Sequence, residues 1–331
     1  NFYPADANDQ WTAGFWPGQI WLAFEHTGDR TFQHAAQIQV QSFLHRIENR
    51  IETDHHDMGF LYSPSCIAAW KLVGDEDGRR AALMAADQLM ERFQPVGQFI
   101  QAWGRRDNPN EYRYIIDCLL NLPLLYWASR ETGREDYRTV ALAHARTTLA
   151  HSIRPDDSTY HTFYMDPETG APVRGVTKQG YSDESYWARG QAWGIAGMAI
   201  SYRYERLPAY RDTFERLLAF YLKRLPDDLV PYWDLIFADG DGEPRDSSAA
   251  AIVACGLLEM AELETPEKAG EYRDLARRMV KSLADIYSVR DPAISNGQLL
   301  HGTYSKKTPH NTCRGEGVDE CVSWGDYYYL E

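Results

Sequence analysis

Hydrophobic positions fall into two alternating kinds of helical segment. Residues 11–25, 59–72, 115–129, 189–202 and 247–263 are apolar nearly all round, and a sixth such run begins at Trp324-Gly325-Asp326-Tyr327-Tyr328-Tyr329. Residues 31–47, 77–93, 136–149, 209–225 and 267–287 are instead amphipathic, with apolar positions at a 3.6-residue period. An all-round apolar helix must be enclosed, and an amphipathic one can form the shell around it. Thr27-Gly28-Asp29, Val73-Gly74-Asp75 and Thr132-Gly133-Arg134 join the first three pairs, where glycine suits a helix C-cap. The repeat recurs at roughly 45 to 75 residues, too long and uneven for the common solenoids. The pattern predicts an all-α fold, an (α/α)6 toroid of six helical hairpins in one domain spanning residues 1–331. Its pocket lies at the end formed by the loops leading into the inner helices. Five outer helices are visible and the sixth hairpin is incomplete, so the pattern also predicts a parent chain continuing past one or both termini. The competing architecture is an open α-solenoid that binds protein. It would not need Trp- and Gly-rich loops at the same end of every hairpin.

Composition narrows the partners. The chain is 44% hydrophobic and 25% charged, with no low-complexity tract, which is globular. A net charge of −14 argues against nucleic acid, whose phosphates need a basic surface. It also repels long polyanions, although a short acidic fragment can still bind where a pocket supplies donors. No run approaches a membrane span, and the N-terminus lacks a basic region followed by an apolar core. Cysteines stand at 66, 118, 255, 313 and 321; the number is odd, and the first three fall in apolar runs. They read as free thiols in a reducing compartment, which predicts a cytoplasmic protein. Nothing in the sequence fixes an oligomeric state.

The lead-ins to the inner helices carry the candidate chemistry. They include Asp9-Gln10-Trp11-Thr12-Ala13-Gly14, His55-His56-Asp57-Met58-Gly59, Trp187-Ala188-Arg189-Gly190 and Arg245-Asp246-Ser247-Ser248. Helix N-termini present free N–H donors and partial positive charge, which suit an acidic sugar; the plainer reading is N-capping, as by Asp246 and Ser247. Asp117 sits within an apolar, helix-like run at 114–127. Burying a lone carboxylate is costly and raises its pKa, which makes it a proton donor near neutrality. The alternative is a core carboxylate satisfied by backbone donors. Asp57 is a second acid at the mouth of an apolar run. Two such acids among abundant aromatics (13% of residues) point to acid/base chemistry on a sugar, whose faces stack on flat rings. His55, His56 and Asp57 do not read as a metal site, because adjacent histidines diverge and no His-x-x-x-His partner is near. There is no Gly-x-Ser-x-Gly elbow, P-loop or Gly-x-Gly-x-x-Gly.

The motifs resemble those of glycoside hydrolase family 88, the unsaturated glucuronyl hydrolases. They are Asp-x-Trp-Thr-x-Gly-Phe-Trp at 9–16, Asp-His-His-Asp-Met-Gly-Phe-Leu-Tyr at 54–62, Gln-Ala-Trp-Gly at 101–104 and Ile-Ile-Asp-Cys-Leu-Leu-Asn at 115–121. Lys-Gln-Gly at 178–180, Trp-x-Arg-Gly-Gln-Ala-Trp-Gly at 187–194, Tyr-Trp-Asp at 232–234 and Trp-Gly-Asp-Tyr-Tyr-Tyr at 324–329 follow in the family's order. The resemblance implies removal of a 4,5-unsaturated uronic acid from the non-reducing end of lyase-generated, glycosaminoglycan-type disaccharides or short oligosaccharides. It makes Asp117 the general acid/base and Asp57 the second essential carboxylate. His161 and Gln179 match positions contacting the sugar, and Trp11 matches a stacking platform. His56, Trp103, Arg189, Trp193 and Trp233 match positions lining the pocket, where core packing also explains the aromatics and Arg189. No metal or organic cofactor is implied. An inverting glycosidase, an unsaturated rhamnogalacturonyl hydrolase and a catalytically silent toroid are the alternatives. Some streptococcal members carry a lysine just before Gly-Val-Asp-Glu that resembles part of a 6-O-sulfate pocket. Glu316 stands there in this chain, near Arg314, Lys306 and Lys307, which predicts a preference for unsulfated substrates.

Overall fold

The computed structural model describes residues 2–307 and 317–331. The inner helices are α1 (Phe15–Thr27), α3 and α4 (Met58–Tyr62 and Ala68–Val73, joined by a π-helical stretch at Ser63–Ile67), α6 (Leu122–Thr132), α8 (Ala188–Glu205), α10 (Ser247–Ala261) and α12 (Ser323–Leu330). The outer helices are α2 (Arg30–Glu48), α5 (Glu76–Met90), α7 (Glu135–His151), α9 (Pro208–Leu222) and α11 (Pro266–Ser282). Each inner segment packs against the outer helix that follows it, and α12 packs against both α10 and α1, which closes the ring. The toroid is as the hydrophobic pattern predicts. Gly28, Gly74 and Gly133 take φ of 69°, 68° and 75° at the ends of their inner helices, as C-caps do. Asp29 and Asp75 then cap the next outer helices, accepting from the backbone N–H of Thr31 and Gly78.

The sequence pattern missed the strands. β3 (Arg113–Ile115), β4 (Thr162–Met165) and β5 (Pro172–Val176) form an antiparallel three-stranded sheet, and β1 (Phe93–Gln94) pairs with β2 (Phe99–Ile100). Phe99, Tyr112, Tyr114, Phe163 and Met165 give this region its own small core. Strands this short show too little alternation to stand out beside long helices. The expectation that Asp117 sits inside a helix is corrected: it lies on a 3-10 turn, Ile116–Leu120, between β3 and α6.

Candidate active site

Glycine and asparagine bring two lead-ins into contact. A Cβ at Gly59 would lie 2.4 Å from the Asn121 Cα, so only glycine permits the approach. The buried Asn121 Oδ1 accepts the Phe60 backbone N–H at 2.8 Å, and its Nδ2 reaches the Asp117 carbonyl at 3.4 Å. Asp57 thereby faces Asp117. A carboxylate oxygen of each and a ring nitrogen of His56 all lie within 4.8 Å of one another. His56 Nε2 sits between them, 3.4 Å from Asp57 and 3.7 Å from Asp117.

The two acids have opposite environments. Asp57 accepts the Trp103 indole N–H at 2.9 Å, and its backbone N–H donates to His55 Nδ1 at 3.1 Å. Burial pushes the Asp57 pKa up, but His56, His55 and Trp103 outweigh it and hold the group below the usual carboxylate range. Asp117 is raised well above that range, first by burial and then by the like charge of Asp57, with Arg189 opposing. Its Oδ1 makes no hydrogen bond among the described residues, with His56 Nε2 3.7 Å away, and the side chain keeps 14% exposure. Burial lowers His56 to about 4 against partial compensation from Asp57, so the ring is neutral at pH 7. The proton affinities of the two acids are thus pushed apart, Asp117 up and Asp57 down, the pattern that separates donor from carboxylate.

The sheet delivers the next residues. Ile115 pairs with Thr162, which in turn pairs with Val176. The Ile116 N–H donates to the His161 carbonyl at 3.0 Å, and the Lys178 N–H to His161 Nδ1 at 3.1 Å. His161 and Gln179 are therefore carried to Asp117 by three adjacent strands. Burial, with Arg189 next in weight, lowers His161 to about 3, and its Nε2 has no partner among the described residues. Gln179 Oε1 accepts from Arg189 at 2.6 Å. The buried Arg189 also donates to Asp246 at 3.1 Å and to the Thr303 and Tyr304 carbonyls, both at 2.6 Å. Asp246 stands at the α10 N-cap, but its side chain does not cap the helix; it serves Arg189, Ser248 and the Thr303 N–H instead. The expected capping by Asp246 is corrected accordingly.

The aromatic candidates divide. Trp103 is 39% exposed and lies flat on His55, with ring centroids 4.2 Å apart and planes 7° from parallel. Trp11 is half-buried, stacks on Trp324 and donates to the Tyr304 hydroxyl at 3.1 Å. Trp193 is 1% exposed, packed between Phe60 and Tyr328, and Trp233 is 2% exposed with its N–H on Glu243. The structure does not bring these last two to an open surface. Sequence reasoning missed Asn121 and the role of His55. Asn121 had one signal, a polar residue four positions after Asp117 in an otherwise apolar run.

The expectation of no metal meets a geometry that leaves room for one, since His56, Asp57 and Asp117 are close enough to share a cation. A cation there would favour ionised carboxylates, whereas burial and the like charge of Asp57 raise Asp117 when none is bound. Glu316 and Arg314 lie outside the described residues. Lys306 lies within them and pairs with Glu243 at 2.6 Å. Cys66, Cys118 and Cys321 are buried free thiols; Cys255 is free and only half-buried. Among the described residues no helix is long and apolar enough to cross a membrane.

Residues 2–329 match the family model described as Glycosyl Hydrolase Family 88. The chain is 49% identical to the unsaturated chondroitin disaccharide hydrolase of Streptococcus pyogenes serotype M1, over all of this chain and 82% of that protein. It is 45% identical to the unsaturated glucuronyl hydrolase of Bacillus sp. (strain GL1), over all of this chain and 87% of that one. A crystal structure of unsaturated glucuronyl hydrolase from Streptococcus agalactiae, 49% identical, superimposes with a TM-score of 0.95 over all of this chain and 82% of that one. The match runs through both acids, the sheet and the closing helix, and on that ground the chain belongs to glycoside hydrolase family 88.

Proposed function

We propose that this glycoside hydrolase removes a 4,5-unsaturated uronic acid from the non-reducing end of short lyase-generated oligosaccharides, with Asp117 as proton donor. The observation that carries the reading is the acid pair. Asp117 is raised well above its usual range beside an ionised Asp57. The C4=C5 bond of the substrate is an enol ether. Asp117 protonates C4, which leaves oxocarbenium character at C5. The Asp117 carboxylate then takes a proton from water as that water bonds to C5. The hemiketal opens to a ketone at C5, and the hemiacetal left at C1 expels the aglycone. One group serves as acid and then as base. Carboxylate oxygens within 4.8 Å also lie closer than the ~6.5–9.5 Å between carboxyl groups that an inverting glycosidase uses to seat its water.

The pocket walls follow in this reading. His161 Nε2 and the open Asp117 Oδ1 are buried polar atoms that a sugar would satisfy. Trp103 and Trp11 offer rings at the mouth, Gln179 is held in place by Arg189, and His56 lies between the acids. Trp193 and Trp233 act from behind, by packing.

The decisive assay offers unsaturated disaccharides and follows the ultraviolet absorbance of the conjugated acid. Loss of absorbance is expected, with oxygen from labelled water appearing at C5. Label at C1, or turnover of saturated glycosides instead, would establish the inverting alternative. Turnover is expected to survive dialysis against a strong chelator; its loss would assign His56, Asp57 and Asp117 to a metal.

A further inference from the structure

Two buried arginines use every donor they have on the loops that carry the site. Arg46, in the last turn of α2, donates Nε to the Ile51 carbonyl at 3.0 Å. Its Nη1 reaches Asn8 Oδ1 and the Gln10 carbonyl, both at 3.0 Å, and its Nη2 reaches the Asp9 and Glu52 carbonyls at 3.1 and 2.7 Å. It therefore ties the lead-in that ends in Trp11 to the lead-in that ends in Asp57. Arg92, just past α5, repeats the arrangement one hairpin later. Nε donates to the Gln101 carbonyl at 2.8 Å, Nη1 to the Asp54 carbonyl at 2.9 Å and carboxylate at 2.6 Å, and Nη2 to the Gly104 carbonyl at 2.9 Å and the Ala102 carbonyl. Arg154, past α7, does the same more loosely, reaching Ser158, Asp183 and Ser185.

A guanidinium has five N–H donors in a fixed planar fork, and both Arg46 and Arg92 satisfy all five. Nothing in this geometry is used on another helix. Arg92 is 1% exposed, and its acceptors lie three residues before Asp57 and on both sides of Trp103. The Trp103 indole N–H is one of the donors holding Asp57 ionised. We propose that Arg92 is a positioning residue for the acid pair: it fixes the loop bearing Trp103 against the loop bearing Asp57, and so sets the Trp103–Asp57 hydrogen bond. The inference rests on Asp57 being required as a carboxylate.

The consequence has a sign. Losing the Trp103 bond removes a donor from the ionised form of Asp57, so its pKa rises. Activity that needs ionised Asp57 then fails at a higher pH, and the acidic limb of the pH–kcat profile moves up. Arg92→Lys is the test, because lysine keeps the charge and loses the fork. A shift in this variant cannot be blamed on a missing cation.

The experiment compares wild type, Arg92→Lys, Trp103→Phe and the double variant on an unsaturated disaccharide. Expected for Arg92→Lys is a kcat loss of ~10- to 100-fold, the scale of a misplaced catalytic group. Its acidic limb moves up by about one pH unit, the scale of one hydrogen bond to a charged group. Trp103→Phe moves the limb the same way. Adding Arg92→Lys to Trp103→Phe moves it no further, because both act on one bond. An unmoved limb in Arg92→Lys, or shifts that sum in the double variant, overturns the proposal. Wild type without turnover would instead fail the function assigned above.

Melting curves show whether Arg92→Lys is folded. If it is not, Asp54→Ala decides, since that side chain is 65% exposed and its removal takes one acceptor from Arg92. Loosening the staple moves the acidic limb up. Mere loss of a nearby negative charge would move it down, and that result counts against the proposal.

Discussion

The inner helices present one end each to two very different spaces. At their N-terminal ends the lead-ins converge on Asp57, Asp117, His161 and Arg189, with buried polar atoms left open between them. Toward their C-terminal ends runs a cavity of about 640 Å³ lined by apolar side chains such as Trp21, Leu22, Ile67 and Trp127, which reaches back to Phe15 and Phe60. Lys71, Arg203, Glu259 and Glu331 also line it, and Arg203 pairs with Glu259. There burial moves the Lys71 pKa down, helped by Arg203 and Arg130. That cavity thus has little chemistry, while the acids lie among the lead-ins. Size does not locate a reaction; convergent donors with separated proton affinities do. The asymmetry comes from the helices themselves. Their N-terminal ends expose N–H groups and need polar lead-ins, while α1, α4 and α6 are closed at their C-terminal ends by tight glycine caps.

Removing the proposed proton donor is the harshest way to break this comparison. Asp117→Asn keeps the shape and cannot protonate C4, so kcat is expected to fall by ~10² to 10⁴-fold or more with substrate binding largely kept. Retention of most activity would move the donor elsewhere. Asp57→Asn comes next. The alkaline limb of the rate profile reports Asp117 losing its proton, and the like charge of Asp57 helps to hold that proton. Without that charge the Asp117 pKa falls, so the alkaline limb of the residual activity moves to lower pH. A limb that stays in place would leave burial as the sole cause of the raised pKa.

The other end is expected to answer in stability alone. Ile67 is 5% exposed and lines this cavity. Ile67→Ala is expected to cost about 2 to 4 kcal/mol in denaturant unfolding, with kcat within about twofold of wild type. A loss of kcat comparable to that of Asp57→Asn would mean the two ends are coupled along the helices.

Much of this division was legible in the chain. All-round apolar and amphipathic segments alternate because every residue of an inner helix meets protein, and that periodicity survives in sequence. Asp117 and Asp57 stood out because a lone acid against apolar neighbours is rare. What could not be read was anything set by pairing between distant segments. The sheet joins residues 113–115, 162–165 and 172–176, and it turns Asp117 from a helical position into a strand-to-turn position. Arg46 and Arg92 were equally invisible, since each looks like an ordinary charged residue near a helix end. Apart from the Asn8 and Asp54 side chains, their acceptors are backbone carbonyls, which every residue carries. Trp193 and Trp233 show the opposite failure. Their motifs place them beside the pocket, while packing buries the Trp193 ring in the core and the Trp233 ring against Tyr181 and Phe237.

The smallest expected effect concerns acid stability and again sets the polar end apart. His56, His144 and His161 are buried and neutral, lowered to about 4, 3 and 3, chiefly by burial. In the unfolded chain each takes a proton near pH 6.5. Between those values these three groups bind more protons in the unfolded state, so the stability they contribute is fully present above about pH 6.5 and falls as pH drops toward the folded values. Asp117, Asp246, Asp326 and Glu331 oppose this, because their raised pKa values let the folded state hold protons, so the histidine contribution is read from the difference between wild type and a histidine variant. His144 lies outside the acid pair, accepting the Ile100 N–H at 2.9 Å with its ring edge-on to Tyr114. His144→Gln removes one of the three titrations. The stability of the variant is therefore expected to depend less on pH between 6.5 and 4, by up to about 1.4 kcal/mol per pH unit for one proton. Unfolding followed at several pH values checks this. An unchanged slope would mean that His144 is already protonated in the fold, and its buried, unpartnered Nε2 would then need an acceptor that the described residues do not supply.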